Sequence, residues 1–206
     1  MASMSEASAS PARRSRTPSA DVERELLAAA EAVLVRDGRG ALTVRSVAAE
    51  AGIAPMGVYN RLGGKDGLVN ALLVKGFDGL RAALEAEDEG DTVERLRSCG
   101  MRYRAFALGN RHFYAIMFED AIPRDRDATE VGEHARAAFG ALVRTVELGA
   151  AAGVLDAADP FEAAQQIWSC LHGAVALELK GLTLTPDPEV TYRALLATLI
   201  RGFAIG

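Results

Sequence analysis

Leu42-Thr-Val-Arg-Ser-Val-Ala-Ala-Glu-Ala-Gly-Ile-Ala-Pro-Met-Gly-Val-Tyr-Asn-Arg-Leu62 is the stretch that decides how the whole chain is read. It carries the signals of two short helices around a tight turn. Thr43 suits an N-cap, because its hydroxyl accepts from the unpaired amides of a first helical turn. Leu42 before that cap and Val47 four residues after it form a hydrophobic staple. Val44, Val47, Ala48 and Ala51 supply a small apolar stripe at helical spacing. Gly52 stands where the first helix must stop, since glycine takes the left-handed conformation cheaply. Ile53 is the apolar plug of the turn. Pro55 fits the first position of a second helix. Val58 and Leu62 give that helix its inner face, which leaves Met56, Gly57, Asn60 and Arg61 outward.

Two helices, a glycine turn and alanines that allow close approach describe a helix-turn-helix, which sets one helix into the major groove of DNA. The segments Thr43-Val-Arg-Ser-Val-Ala, Ala51-Gly-Ile and Val58-Tyr-Asn-Arg-Leu-Gly-Gly-Lys-Asp-Gly-Leu68 together resemble the DNA-binding domain of the tetracycline-repressor (TetR) family of bacterial regulators. The likeness spans some four dozen residues, with Tyr59 and Lys65 at the matching offsets. It implies that Tyr59 contacts a phosphate through its hydroxyl. Lys65 would contact another at the start of the next helix, where free amides help to hold an anion. Thr43 would add a phosphate bond. Arg45 lies where some relatives place a base-reading arginine, and a guanidinium matches the paired acceptors of guanine. Pro55 and Met56 would meet a thymine methyl, Gly57 would let the backbone approach DNA, and Asn60 and Arg61 would meet base edges or backbone. This chain departs from the family pattern at Ala54, which lacks a capping hydroxyl, and at Gly57, Leu62 and Gly64.

The surrounding composition fits a soluble helical protein. Of 206 residues half are hydrophobic and a quarter charged, enough for a sizeable core. No apolar run reaches the length of a membrane helix, and the N-terminus lacks a secretory core, so no membrane partner and a cytoplasmic location are expected. Cys99 and Cys170 match no metal spacing and read as reduced thiols. The net charge of −5 is unevenly spread: residues 1–75 carry 10 basic and 8 acidic side chains, residues 76–206 carry 13 and 20. A weakly basic head on an acidic body is the pattern expected of a regulator, although charge alone does not point to DNA.

The expected architecture is all-α: an N-terminal three-helix helix-turn-helix domain, joined by a linker helix to a helical ligand-binding and dimerisation domain, about nine helices in all. Residues 1–20 read as a disordered tail, in which Arg13, Arg14 and Arg16 are either a basic arm that brushes a phosphate or the minor groove or simply solvated. Residues 21–67 form the head and 68–206 the body. A helix over 21–36 would turn Leu26, Ala30, Val33 and Leu34 toward the head. A linker helix over 65–84 carries glycines at 67, 76 and 79 whose cost of about 1 kcal/mol each is explained most simply by close packing. Further helices are expected at 92–108, 111–119, 127–152, 159–181 and 188–204.

Ile167-Trp-Ser-Cys-Leu-His-Gly173 resembles a TetR subgroup marked by a Trp, His and Gly signature. The resemblance implies that the last two long helices pair across a two-fold axis, with Ala164, Leu171, Val175, Tyr192, Leu195, Leu199, Ile200 and Phe203 as the interface. It also implies a pocket among Tyr103, Phe106, Phe113, Tyr114, Met117, Phe118, Phe139 and Val143, with Trp168 and His172 as polar-tipped companions. Such sites are mostly apolar with few polar groups. His172 reads as a hydrogen-bonded core histidine rather than a metal ligand. No cofactor is expected: the chain has no nucleotide-binding loop, metal constellation or nucleophile–base pair, which disfavours an enzyme. The leading reading is a dimeric repressor of a palindromic operator, released by an unidentified apolar small molecule. The alternative is a helical ligand-binding or interaction module whose head no longer binds DNA.

Overall fold

The computed structural model describes residues 19–85, 91–118 and 129–205. Among them are nine α-helices and no β-strand: α1 (Ser19–Asp37), α2 (Val44–Glu50), α3 (Pro55–Leu62), α4 (Lys65–Glu85), α5 (Thr92–Gly109), α6 (Arg111–Phe118), α7 (Glu130–Ala151), α8 (Pro160–Leu179) and α9 (Pro188–Phe203), with a short 3-10 turn at Arg39–Ala41. The expected starts and stops near residues 119 and 127, the acidic run after Glu85 and the N-terminal basic arm lie outside the described residues.

The caps set the helix boundaries. Asp91, Thr129, Asp159 and Asp187 each accept a hydrogen bond from the first-turn amides of α5, α7, α8 and α9, satisfying donors that have no partner within the helix. Pro160 and Pro188 follow their caps at the first helical position. At the other end of α8, Gly181 takes a left-handed φ of 66°, and Leu182 N–H donates back to the Leu177 carbonyl, so this helix closes at Leu179, two residues before the expected stop.

Leu26, Ala30, Val33 and Leu34 of α1 are fully buried against the helix pair, together with Leu42, Val47, Ala48 and Val58. Arg36 at the end of α1 pairs with Glu50 at the end of α2 at 2.9 Å, and Lys75 of α4 pairs with Glu31 of α1. The body packs α4 against α7, with α5 and α8 beside them and α9 outside α5. The chain end is pinned to the α7–α8 connection: Asp156 N–H donates to the Phe203 carbonyl at 2.6 Å and Ile205 N–H to the Val154 carbonyl at 3.2 Å.

Two linker-helix glycines are required by space rather than by φ. A side chain on Gly67 would put its Cβ 1.5 Å from the Leu62 carbonyl oxygen, so the first turn of α4 sits directly on the last turn of α3. At Gly76 the vacant side is filled by Met117 and Phe113 of α6. Loss of helix propensity is offset by packing that any larger residue would prevent.

Candidate DNA-binding face and ligand cavity

Thr43 caps α2 as its sequence suggests, and a reciprocal partner emerges that the sequence reading passed over. Ser46 N–H donates to Thr43 Oγ1 at 3.1 Å while Thr43 N–H donates to Ser46 Oγ at 3.0 Å, a capping box closed by serine instead of the usual Glu or Gln. Ser46 Oγ also reaches the Ala41 carbonyl at 2.6 Å, tying α2 to the turn before it. Gly52 takes a φ of 67°, and Ile53 N–H donates to the Ala48 carbonyl at 2.9 Å. Ala54 gives α3 no side-chain cap. Pro55 lacks an amide hydrogen, so one of the donors a cap would serve is already gone.

Val58 and Leu62 are buried. Pro55, Met56, Tyr59, Asn60 and Arg61 are exposed on the other side of α3, Thr43 and Arg45 on α2, and Lys65 at the first position of α4. Met56 (64% exposed) and Tyr59 (55% exposed) are the most exposed large side chains among them with apolar bodies. Gly57 is not in this exposed set. It is half-buried, and a Cβ there would meet Ile53 Cδ1 at 2.9 Å; its vacancy accommodates the plug of the turn, which corrects the expectation that it faces outward. Gly64 has a comparable task. At φ 97° it lies beneath the Tyr59 ring, and any Cβ would sit 3.0 Å from a ring carbon. The double glycine 63–64 therefore turns the chain and seats the tyrosine at once.

Inside the body, a cavity of about 180 Å³ lies between α4, α5, α7 and α8. Tyr103, Phe118, Phe139 and Trp168 line it as expected. Much of the wall comes from residues that the sequence reading did not single out: Phe77, Leu80 and Leu84 of α4, Leu96, Cys99 and Gly100 of α5, Ala135, Ala138 and Leu142 of α7, and Gln165 of α8. Their i, i+3, i+4 spacing on three helices was the available signal, but it is also the signal of ordinary core. Phe106, Phe113, Tyr114, Met117, Val143 and His172 do not line the cavity. Phe113 and Met117 fill the space beside Gly76, and Phe106 packs over Gly79.

Tyr114 and His172 stand behind the wall and hold it. Trp168 Nε1–H donates to Tyr103 Oη at 3.2 Å, the two tyrosine oxygens are 3.1 Å apart, and His172 Nδ1 lies 2.7 Å from Tyr114 Oη and 2.9 Å from Tyr103 Oη. These groups form one connected network, in which tryptophan donates to Tyr103 and the two hydroxyls and Nδ1 share the remaining bonds. Burial pushes the Tyr103 hydroxyl up to about 12, against the pull of its bonds to Tyr114 and Trp168, so it remains a neutral donor. His172 also stacks on Tyr114, with ring centres 5.5 Å apart, and meets Phe118 edge-on at 5.0 Å. Among the described residues no three His, Cys, Asp or Glu side chains gather as a metal site.

Five of the eight expected dimer residues are corrected. Ala164, Leu171, Val175, Tyr192 and Ile200 are buried within their own chain. Leu171 lines the cavity, and Tyr192 donates to the Gly100 carbonyl at 2.8 Å. Leu195, Leu199 and Phe203 are half-buried and packed on the same core. The most apolar stripe of each helix went to its own interior, where burial gains most. Among the residues that α8 and α9 leave outside are Gln166, Cys170, Gly173 and Leu177 on one, and Val190, Ala194 and Thr198 on the other. Arg104 of α5 braces this corner with a forked bond to Glu178 at 2.7 and 2.8 Å and a reach to Glu189 at 3.2 Å.

Comparison with known proteins matches both regions. Residues 26–72 fit the family described as bacterial regulatory proteins, tetR family, and residues 96–199 fit the tetracyclin repressor-like C-terminal domain. The chain belongs to the TetR family of transcriptional regulators. A TetR-family chain is a DNA-binding regulator and not an enzyme. An HTH-type transcriptional regulator of Mycobacterium tuberculosis is 25% identical over 173 residues, which cover 82% of this chain and 75% of the relative. A solved structure from Rhodococcus sp. RHA1, described as a protein with unknown function, is 28% identical with a TM-score of 0.81, over 95% of this chain and all of that one. A TetR-family regulator from Vibrio parahaemolyticus shares the fold at 20% identity and a TM-score of 0.69, over 90% of this chain and all of the other.

Proposed function

We propose that this TetR-family regulator is a homodimeric repressor that holds a palindromic operator and lets go when an apolar small molecule enters the body. Residues 21–67 act as the reading head and 68–206 as the ligand-binding and dimerising body, in the cytoplasm. One observation carries the reading: α4 serves both regions. Its first residue is Lys65, its first turn rests on the last turn of α3 at Gly67, and its far half supplies Phe77, Leu80 and Leu84 to the cavity wall. A ligand pressing on those three side chains acts on the same rigid helix that carries a phosphate contact. Among the described residues no helix is long and apolar enough to cross a membrane.

In the dimer, the outward residues of α8 and α9 meet their copies. A two-fold axis there sets the two heads at groove spacing, roughly 34–36 Å apart. Thr43, Tyr59 and Lys65 clamp phosphates, Arg45 reads a base edge, and Pro55, Met56, Asn60 and Arg61 lie along the groove. Ligand and DNA must weaken each other equally, because coupling between two binding equilibria is reciprocal. Titration of the full chain against the duplex upstream of its own reading frame tests the whole scheme. Tight, salt-dependent, sequence-selective binding by a dimer is expected. Equal affinity for every duplex, or a chain that stays monomeric at micromolar concentration, overturns it.

A further inference from the structure

The cavity has a chemical character of its own. Among the described residues none that lines it is charged, so a carboxylate or ammonium would lose its hydration and find no counter-charge from them. The tyrosine corner offers little, because Trp168, Tyr114 and His172 already surround the Tyr103 oxygen. Gln165 differs. Its amide nitrogen donates to Ser169 Oγ at 3.1 Å, and among the described residues its side chain makes only that bond. Its second N–H and its carbonyl oxygen have no partner among the described residues, on a residue that lines the cavity. Size narrows the choice further: an apolar cavity of roughly 150 Å³ accepts benzene, and this one measures about 180 Å³.

We infer that the cavity takes an uncharged molecule made of one ring and a short chain, carrying a single carbonyl or hydroxyl that pairs with Gln165. The inference rests on the ligand-release reading for its regulatory meaning, but the cavity's selectivity is measurable without DNA. Trp168 is the chain's only tryptophan and lines the cavity, so its fluorescence reports occupancy in the full-length protein.

Three probes of nearly equal shape separate the terms: isopentylbenzene, benzylacetone and 3-phenylpropanoate. Benzylacetone is expected to bind at least about tenfold more tightly than the carboxylate, which must shed its water unpaired. Gln165→Leu is expected to weaken benzylacetone about fivefold and to leave isopentylbenzene unchanged. Ala135→Leu, which fills space from a half-buried position, should weaken the two uncharged probes together; if that variant fails to fold, the Gln165→Leu comparison still decides. Equal binding of ketone and carboxylate, an equal loss of ketone and hydrocarbon in Gln165→Leu, or no response to any probe overturns the inference. A repeat with the upstream duplex present keeps the two ideas apart. Selective probe binding that leaves DNA affinity untouched defeats ligand release and leaves the cavity assignment standing. A DNA response without that selectivity does the reverse.

Discussion

The head and the body of this chain both use glycine to admit close neighbours, with different results. In the head, Gly57, Gly64 and Gly67 let neighbouring segments close up, and the result is a solid unit with its polar residues outside. In the body, Gly76 and Gly100 receive long side chains from other helices, Met117 on one and Leu196 on the other, yet a cavity still remains between α4, α5, α7 and α8. Native interiors are otherwise filled to crystal-like density. A void held open by large side chains therefore costs stability, and the body tolerates what the head does not. In the function proposed above, the head presents a fixed edge to a rigid duplex, while the body admits a guest and registers it.

The largest expected effect breaks the head. Gly67→Ala sets a methyl group against the Leu62 carbonyl, backbone that cannot turn aside; it should cost about 3 kcal/mol or more and abolish DNA binding, as read by denaturation and mobility shift. Gly57→Ala meets only the far end of Ile53 and should stay within about 1 kcal/mol of the parent. Equal losses at the two positions would erase the difference between them.

A test of similar size falls on the body. Tyr103 keeps its proton up to about 12 when folded, against about 10 in an unfolded chain. The folded state holds that proton more tightly, so this contribution is complete below about pH 10 and is lost as pH climbs through about 12. Urea denaturation should show stability falling by about 3 kcal/mol across that window, with Tyr192, raised by burial in the same sense, adding to the decline. A flat profile to pH 12 would deny the buried hydroxyl its role.

Smaller effects sharpen the division of labour on the DNA edge. Lys65→Ala and Tyr59→Ala should weaken every duplex alike, and the lysine change should flatten the salt slope by about one. Arg45→Ala should cost about 1–3 kcal/mol at particular base pairs only. Both sets should leave probe fluorescence from Trp168 unchanged. The smallest effect is Tyr114→Phe, which removes one link behind the cavity wall and should lower stability by about 1 kcal/mol without altering the DNA affinity of the ligand-free protein.

The sequence by itself determined the all-α class, the helix-turn-helix and its caps, the inward turn of Val58 and Leu62, and the family likeness. Those features are local: a cap, a staple and a left-handed glycine act within one or two turns, so spacing along the chain is spacing in space. The tertiary structure alone decided which apolar stripe faced where. Tyr103, Phe113 and Leu171 look alike as large residues at helical intervals, yet one lines a cavity, one fills a glycine notch, and one, expected at a dimer surface, closes the same cavity. Sequence periodicity says that a helix has an apolar side; it does not say whether that side meets its own core, a guest or a second copy. Gln165 shows the same limit for polar groups, since its place in the cavity wall follows from the tertiary packing and not from its spacing along α8.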